Sequence, residues 1–284
     1  ENGLAEDFDP LLLKGLLIHS SSYHPELELK MEDRLKQTGF GMPKSIQDIL
    51  YNTSNEITLI LRDRLKKSDF IEILDFPFPD SLIKDGFYYG QVILTLIYNP
   101  ILDPTQGAEY CQSNINVWFG TYENKKNRDI TKPYIKNPIG KDGYKSNVLL
   151  QSCYSKPLFR NLEGDFGGKE RLLIQYGDKY YPVKKYAVDL SEMTDGNKEK
   201  YLPGTRNWSL KIEGLYRDFI ERKASVLGEE LYQDFCILVT LRDPNPNNEL
   251  VYNDVVTLLE QENFYQNDIN IRPEIRVAVE NENM

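Results

Sequence analysis

Between Asp9 and Ser22 the apolar residues Leu11, Leu12, Leu13, Leu16, Leu17 and Ile18 fall on nearly every side of a helix. Asp9 suits the N-cap and Pro10 the first helical position, while Ser20 to Ser22 end the run. A helix that is apolar all round needs burial, so this one is expected to be covered by something else. Tyr23 to Thr38 reads as a polar connection. Gly39-Phe-Gly41 reads as a turn in which glycine supplies positive φ or close backbone approach. Pro43 is expected to open a short helix with Ile46, Ile49 and Leu50 on one face.

From residue 56 the pattern changes to that of strands. Glu56 to Arg62 and Asp69 to Phe76 are two of them, the second closed by Pro77 and Pro79. Gln91 to Tyr98 is apolar almost throughout and rich in branched residues, which places it in the middle of a sheet. Asn114 to Tyr122 follows, with Ile115, Val117 and Phe119 alternating against its other positions. Residues 124–168 have weak periodicity and read as an insertion, in which Asn147 to Ser152 is expected to be helical. Strands resume at Arg171 to Tyr176, Tyr180 to Val188, Trp208 to Glu213 and Phe235 to Leu241. Leu215 to Leu231 fits a hairpin or a helix, Asp243 to Asn248 a turn, Asp254 to Glu262 a helix, and Arg272 to Val279 an edge strand. The fold class is therefore mainly β, with a few helices.

The chain has 284 residues, 40% hydrophobic and 27% charged, the balance of a globular protein with a sizeable core. No run reaches the length of a membrane span. The net charge of -10 is unevenly spread: residues 1–124 carry -9, residues 125–186 carry +8 and residues 187–284 carry -9. A basic middle between acidic flanks fits either a cationic surface for an acidic partner or an insertion that neutralises its neighbours. Cys111, Cys153 and Cys236 are widely spaced and read as buried free thiols of a reducing compartment. The start ENGLAEDFDP lacks the basic residues of an export signal, which favours a cytoplasmic location without fixing it.

Leu12-Leu-Lys14-Gly-Leu-Leu-Ile-His-Ser20 resembles the second buried helix near the end of a subtilisin-like catalytic domain, and Gly39-Phe-Gly41-Met-Pro resembles the turn that leads into its closing helix. Val92 to Pro100, Pro182 to Leu190, Trp208 to Ile212 and Cys236 to Tyr252 are similar to the C-terminal extensions of bacterial subtilisin-like serine proteases. The resemblance implies a β-sandwich, jelly-roll-like, with a short N-terminal helical segment and a few peripheral helices. It divides the chain into a helical remnant over residues 1–53 and a sandwich over 54–284, with an insertion at about 124–170. It implies a domain joint at Leu12, Leu16, Leu17, Ile18, Gly39 and Gly41, and a subtilisin-like catalytic domain as partner, upstream in the same polypeptide or on a separate chain. Protein substrates follow as a further partner of the assembly.

The chemistry of that family requires Asp-x-Gly, His-Gly and Gly-Thr-Ser patterns, because the serine hydroxyl must lose its proton to an imidazole oriented by a carboxylate. None of the three occurs here. His19 and His24 are five apart across a helix end, which misses zinc-binding spacing. A Cys153 nucleophile with His24 as base has no supporting motif, so both histidines read as capping or surface residues. Asp85-Gly86, Asp142-Gly143 and Asp195-Gly-Asn197 read as turns rather than calcium loops. Trp118 and Trp208 read as core aromatics rather than a carbohydrate platform. The expectation is a non-catalytic accessory module with no catalytic, cofactor-binding or metal-binding residue, no nucleic-acid partner and no membrane partner. The alternatives are a self-standing sandwich that binds a protein or glycan through its middle insertion, and an enzyme of another class with a site on loops.

Overall fold

All eight residues of Gln91–Tyr98 are buried, and burial on both faces of one strand requires a layer on each side. In this computed structural model, which describes residues 9–23, 31–67, 69–123, 146–151, 169–176, 180–261, 265–267 and 274–276, the two layers are a second sheet and a helix. The chain runs α1 (Pro10–Ser20), α2 (Met31–Thr38), α3 (Ile46–Leu50), β1 (Glu56–Lys66), β2 (Phe70–Leu74), β3 (Ile83–Lys84), β4 (Phe87–Tyr88), β5 (Gln91–Tyr98) and β6 (Ser113–Glu123). It continues through β7 (Ser146–Gln151), β8 (Lys169–Tyr176), β9 (Tyr180–Asp189), α4 (Asp195–Lys198), β10 (Arg206–Tyr216), α5 (Asp218–Leu227), β11 (Tyr232–Arg242), α6 (Val251–Gln261), β12 (Tyr265–Asn267) and β13 (Glu274–Arg276).

A seven-stranded sheet has the order β12-β13-β1-β11-β5-β9-β8, and a four-stranded sheet the order β2-β10-β6-β7. Neighbours pair antiparallel except β13 on β1. Because side chains alternate along a strand, each strand of the larger sheet divides its residues between two cores. Ile57, Leu59, Val92, Leu94, Leu96, Val188, Ile237 and Val239 point to the main core, where they join Ile71, Ile73, Ile115, Val117, Phe119, Leu210 and Ile212 of the smaller sheet. Two sheets that fill one core between them are the arrangement of a sandwich. The intervening residues Ile60, Ile97, Val183, Cys236 and Leu238 form a second core with Leu11 and Phe40.

Trp208 closes one end of the main core. Its ring stacks on Phe78, Phe119 and Tyr201 at 4.5, 5.0 and 5.7 Å, and meets Tyr88 edge-on at 5.4 Å. Helix α6 adds Val251, Val255 and Leu259, spaced by one turn each, to the same core. Both tryptophans are buried, so neither is an open platform for sugar.

Several elements depart from the sequence reading. Met31–Thr38 is helical where a polar connection was expected, its pattern being weak because its mean hydropathy is low. The short third helix is capped by Ser45, whose hydroxyl accepts from the Asp48 amide, rather than opened by Pro43, and Ile46 points outward at 74% exposure while Ile49 is buried. Residues 147–151 form strand β7 beside β6 rather than a helix. Of the two forms open to Leu215 to Leu231, hairpin or helix, the structure holds helix α5, stopped by Gly228 in the left-handed conformation. Asp195 begins the short helix α4 rather than a turn. Strand β13 lies inside its sheet, between β1 and β12, rather than at the edge. Asp85 and Gly86, both at positive φ, make the two-residue turn between β3 and β4 as expected. The remainder of the insertion, with Asp142-Gly143 and Cys153, lies outside the described residues, as does His24.

Leu94 is fully buried at the centre of both sheet and core. Leu94→Ala is expected to lower the unfolding free energy by about 2–5 kcal/mol, measured by urea denaturation. Val226→Ala, at a position 86% exposed, is expected to change it by less than about 0.5 kcal/mol.

Candidate functional site

The joint residues inferred from the sequence gather around α1, and the structure shows how that helix is seated. At its start the Asp9 carboxylate accepts from the Leu11 amide at 2.8 Å, capping the helix as expected, and pairs with Arg62 of β1 at 3.3 Å. At mid-helix Gly15 lies against the sheet. A Cβ there would stand 2.8 Å from Leu238 Cδ1 and 3.6 Å from Cys236 Sγ, so only glycine permits this approach without a shift of Leu238. At the end His19 is buried, with Nδ1 2.8 Å from Thr95 Oγ1 and Nε2 2.7 Å from Thr240 Oγ1. Thr240 in turn shares a 2.6 Å bond with Thr58 Oγ1. An imidazole can donate from one nitrogen and accept at the other, so it matches two hydroxyls that themselves do both.

Lys185 of β9 completes the anchorage. Its buried ammonium donates to the carbonyls of Ile18 and His19, each at 3.0 Å, and to that of Ser21. These are the carbonyls a helix end leaves without partners, and the charge complements the negative end of the helix dipole. The buried ammonium is thus hydrogen-bonded by three backbone carbonyls.

The glycine turn holds the following segment to the helix end. Ser22 and Met42 exchange two backbone hydrogen bonds of 2.9 Å. Gly39 and Gly41 have φ of 62° and 88°, and a Cβ on Gly41 would collide with the Ser22 carbonyl. The Tyr23 hydroxyl donates to the Gly39 carbonyl at 2.7 Å. Leu12, Leu16 and Ile18 are partly buried and pack on the second core together with Phe40. Of the six residues of the inferred joint, Leu12, Leu16 and Ile18 pack toward the sheet, Gly39 and Gly41 form the turn beside Ser22, and Leu17 does neither. Leu17 faces away at 42% exposure, beside Leu13 at 45%. The helix is accordingly covered on one side rather than buried all round.

A cavity of about 130 Å³ lies between the end of α1, α3 and the sheet, lined by His19, Ser21, Lys44, Glu56, Thr58 and Arg242 among others. It adjoins a wider cleft of about 720 Å³ through Lys44, Glu56 and Arg242, which leads to Asp243. The cleft floor is a polar lattice. Arg242 donates to Gln91 Oε1 at 2.9 and 2.6 Å and lies 3.8 Å from Glu56, Gln91 donates to Asp189 at 3.0 Å, and Tyr89 and Asn248 donate to Asp243 at 2.7 and 2.8 Å. Burial, with the Asp243 carboxylate alongside, pushes the Tyr89 hydroxyl up to about 12. These groups are committed to each other, which makes the lattice a rigid rim rather than a proton-transfer site.

Sequence reasoning placed His19 at a capping or surface position, whereas it is an internal clamp. A signal was available: Leu11, Gly15 and His19 lie four apart on one stripe, and Thr58, Thr95 and Thr240 are polar positions inside otherwise apolar strands. Cys111 and Cys236 are buried free thiols as expected, and burial raises the Cys111 pKa above its ordinary value. Among the described residues no group of three or more His, Cys, Asp or Glu is placed to hold a metal, and no helix is long and apolar enough to cross a membrane. Comparison with family models, with characterised proteins and with solved structures gives no match.

His19→Ala leaves two buried threonine hydroxyls without their ring partner and is expected to cost about 1–3 kcal/mol. Gly15→Val is expected to cost at least as much by forcing Leu238 aside. Thermal and urea unfolding of both variants measure this.

Proposed function

We propose that this chain is a non-catalytic accessory module of a subtilisin-like serine endopeptidase, in which α1 is the joint to the catalytic domain. The observation that carries the reading is the two-sidedness of α1. Its inner stripe, Leu11, Gly15 and His19, is locked to the sheet, and its outer stripe presents Leu13 and Leu17. The resemblance of residues 9–50 to the end of such a catalytic domain names the partner. A helix held on one side by its own sheet and on the other by a neighbour couples the stability of the two. Burying Leu13 and Leu17 against the neighbour contributes roughly 1.5–3 kcal/mol each.

Both ring nitrogens of His19 are held by threonine hydroxyls, which removes it as a base for an external nucleophile. Peptide hydrolysis belongs in this reading to the partner domain, while the module supports that domain and orients protein substrates toward it.

A photo-crosslinking amino acid at position 17, introduced in the native host, tests the reading by mass spectrometry. Crosslinked peptides are expected from a subtilisin-like catalytic domain, upstream in the same polypeptide or separate. Crosslinks confined to a second copy, or to proteins without such a domain, would sink it. Leu13→Asp with Leu17→Asp is expected to leave folding intact and to weaken association on the order of a hundredfold. A serine-reactive fluorophosphonate is expected not to label the isolated chain.

A further inference from the structure

Four polar residues stand side by side at one end of the larger sheet. Glu56 of β1 pairs with Arg242 of β11, Arg242 with Gln91 of β5, and Gln91 with Asp189 of β9. By strand alternation they share the face of Ile60, Leu238, Ile97 and Val183, on which α1 is seated. Hydrogen bonds join three of the four: Gln91 donates to Asp189 at 3.0 Å and accepts from Arg242 at 2.9 and 2.6 Å. The chain of bonds stops there. Glu56 lies 3.8 Å from Arg242, beyond hydrogen-bond reach, and among the described residues its carboxylate accepts no hydrogen bond.

Only 9% of the Glu56 side chain is exposed. Buried polar groups in native proteins are almost always satisfied, so a carboxylate in this position calls for a donor beside it. There is room for one. Glu56 lines both the cavity of about 130 Å³ and the cleft outside it, and so does Lys44. Among the described residues Lys44 makes no hydrogen bond or ion pair, with Glu56 or with any other group. The neck between cavity and cleft therefore presents one carboxylate and one ammonium that do not engage each other. Behind it, Leu16, Ile49 and Ile93 form the apolar part of the cavity wall. The polar groups of that wall are turned to partners of their own: His19, Thr58 and Thr240 bond to one another, and Lys185 bonds to carbonyls of the α1 end.

These features set the chemistry of a ligand. A carboxylate with free lone pairs is matched best by a cationic donor. A purely cationic ligand would meet Lys44 at the same neck, and a purely anionic one would meet Glu56. A zwitterion answers both. The cavity volume is close to the roughly 150 Å³ at which an apolar cavity takes up benzene, so it holds a side chain of several carbons. An α-amino acid carries an ammonium, a carboxylate and such a side chain on one carbon atom.

We propose that this neck binds a free α-amino acid with an aliphatic side chain. The ligand ammonium donates to Glu56, its carboxylate accepts from Lys44, and its side chain enters the cavity between Leu16, Ile49 and Ile93. Lys44 is exposed, so its bond is the weaker of the two. The site does not rest on the reading of Leu13 and Leu17 as a joint, and it stands or falls apart from it.

Isothermal titration calorimetry of the full chain with L-leucine, N-acetyl-L-leucine and L-leucinamide is the test. L-leucine is expected to bind saturably at a single site. N-acetyl-L-leucine, which lacks the ammonium, is expected to bind about tenfold more weakly or worse, and L-leucinamide, which lacks the carboxylate, about threefold more weakly. Glu56→Gln keeps the side-chain size and is expected to weaken L-leucine binding about tenfold or more, and Lys44→Met to weaken it about threefold. The idea is overturned if L-leucine does not bind, if N-acetyl-L-leucine binds equally well, or if a folded Glu56→Gln variant, checked by its melting temperature, binds L-leucine like the parent. Equal binding of L-leucinamide would overturn it as well, by showing that the neck reads an amino group alone.

Discussion

The structure depends on the double burial of β5 and β11. These two strands present Leu94, Leu96, Ile237 and Val239 to one side and Ile97, Cys236 and Leu238 to the other. Neither side tolerates water at a cost a marginally stable protein can bear. The first side is closed by the smaller sheet and α6. The second is closed by α1, which makes the N-terminal helix a structural layer of the protein rather than an appendage. Its glycine, its histidine and the lysine that receives its end are all explained by that duty. Gly15 lets the helix approach, His19 satisfies threonines that would otherwise be buried without partners, and Lys185 neutralises the helix terminus.

The same geometry gives α1 two unlike sides. A helix that served only as a lid would carry polar residues on its outer side. Leu13 and Leu17 stand there instead.

Local chemistry made much of this legible beforehand. The Asp9 cap, the Gly39 and Gly41 turn, the central strand at Gln91 to Tyr98 and most of the remaining strands each follow from residue preferences that act within a few positions. What could not be read depends on which layer lies opposite. The uniform leucines of α1 suggested burial on every side, because hydrophobicity alone does not tell a covered face from an offered one. Lys184 and Lys185 belong to the basic middle of the chain, for which a cationic surface was one reading, yet both are buried. Lys184 reaches Asn114 at 3.1 Å and the Ile115 carbonyl across the sandwich, while Lys185 reaches the end of α1. Strand β7 was mistaken for a helix because its pairing with β6, not its composition, decides its form.

Native-state hydrogen exchange of the α1 amides tests the central claim most directly. If the helix is an obligatory layer, the amides of Lys14 to His19 will exchange only through the same global opening as those of β5 and β11, with a matching free energy and a matching dependence on denaturant. Exchange of α1 through a local opening, with protection far below that of the two strands, would contradict the account and return the helix to the status of a detachable segment.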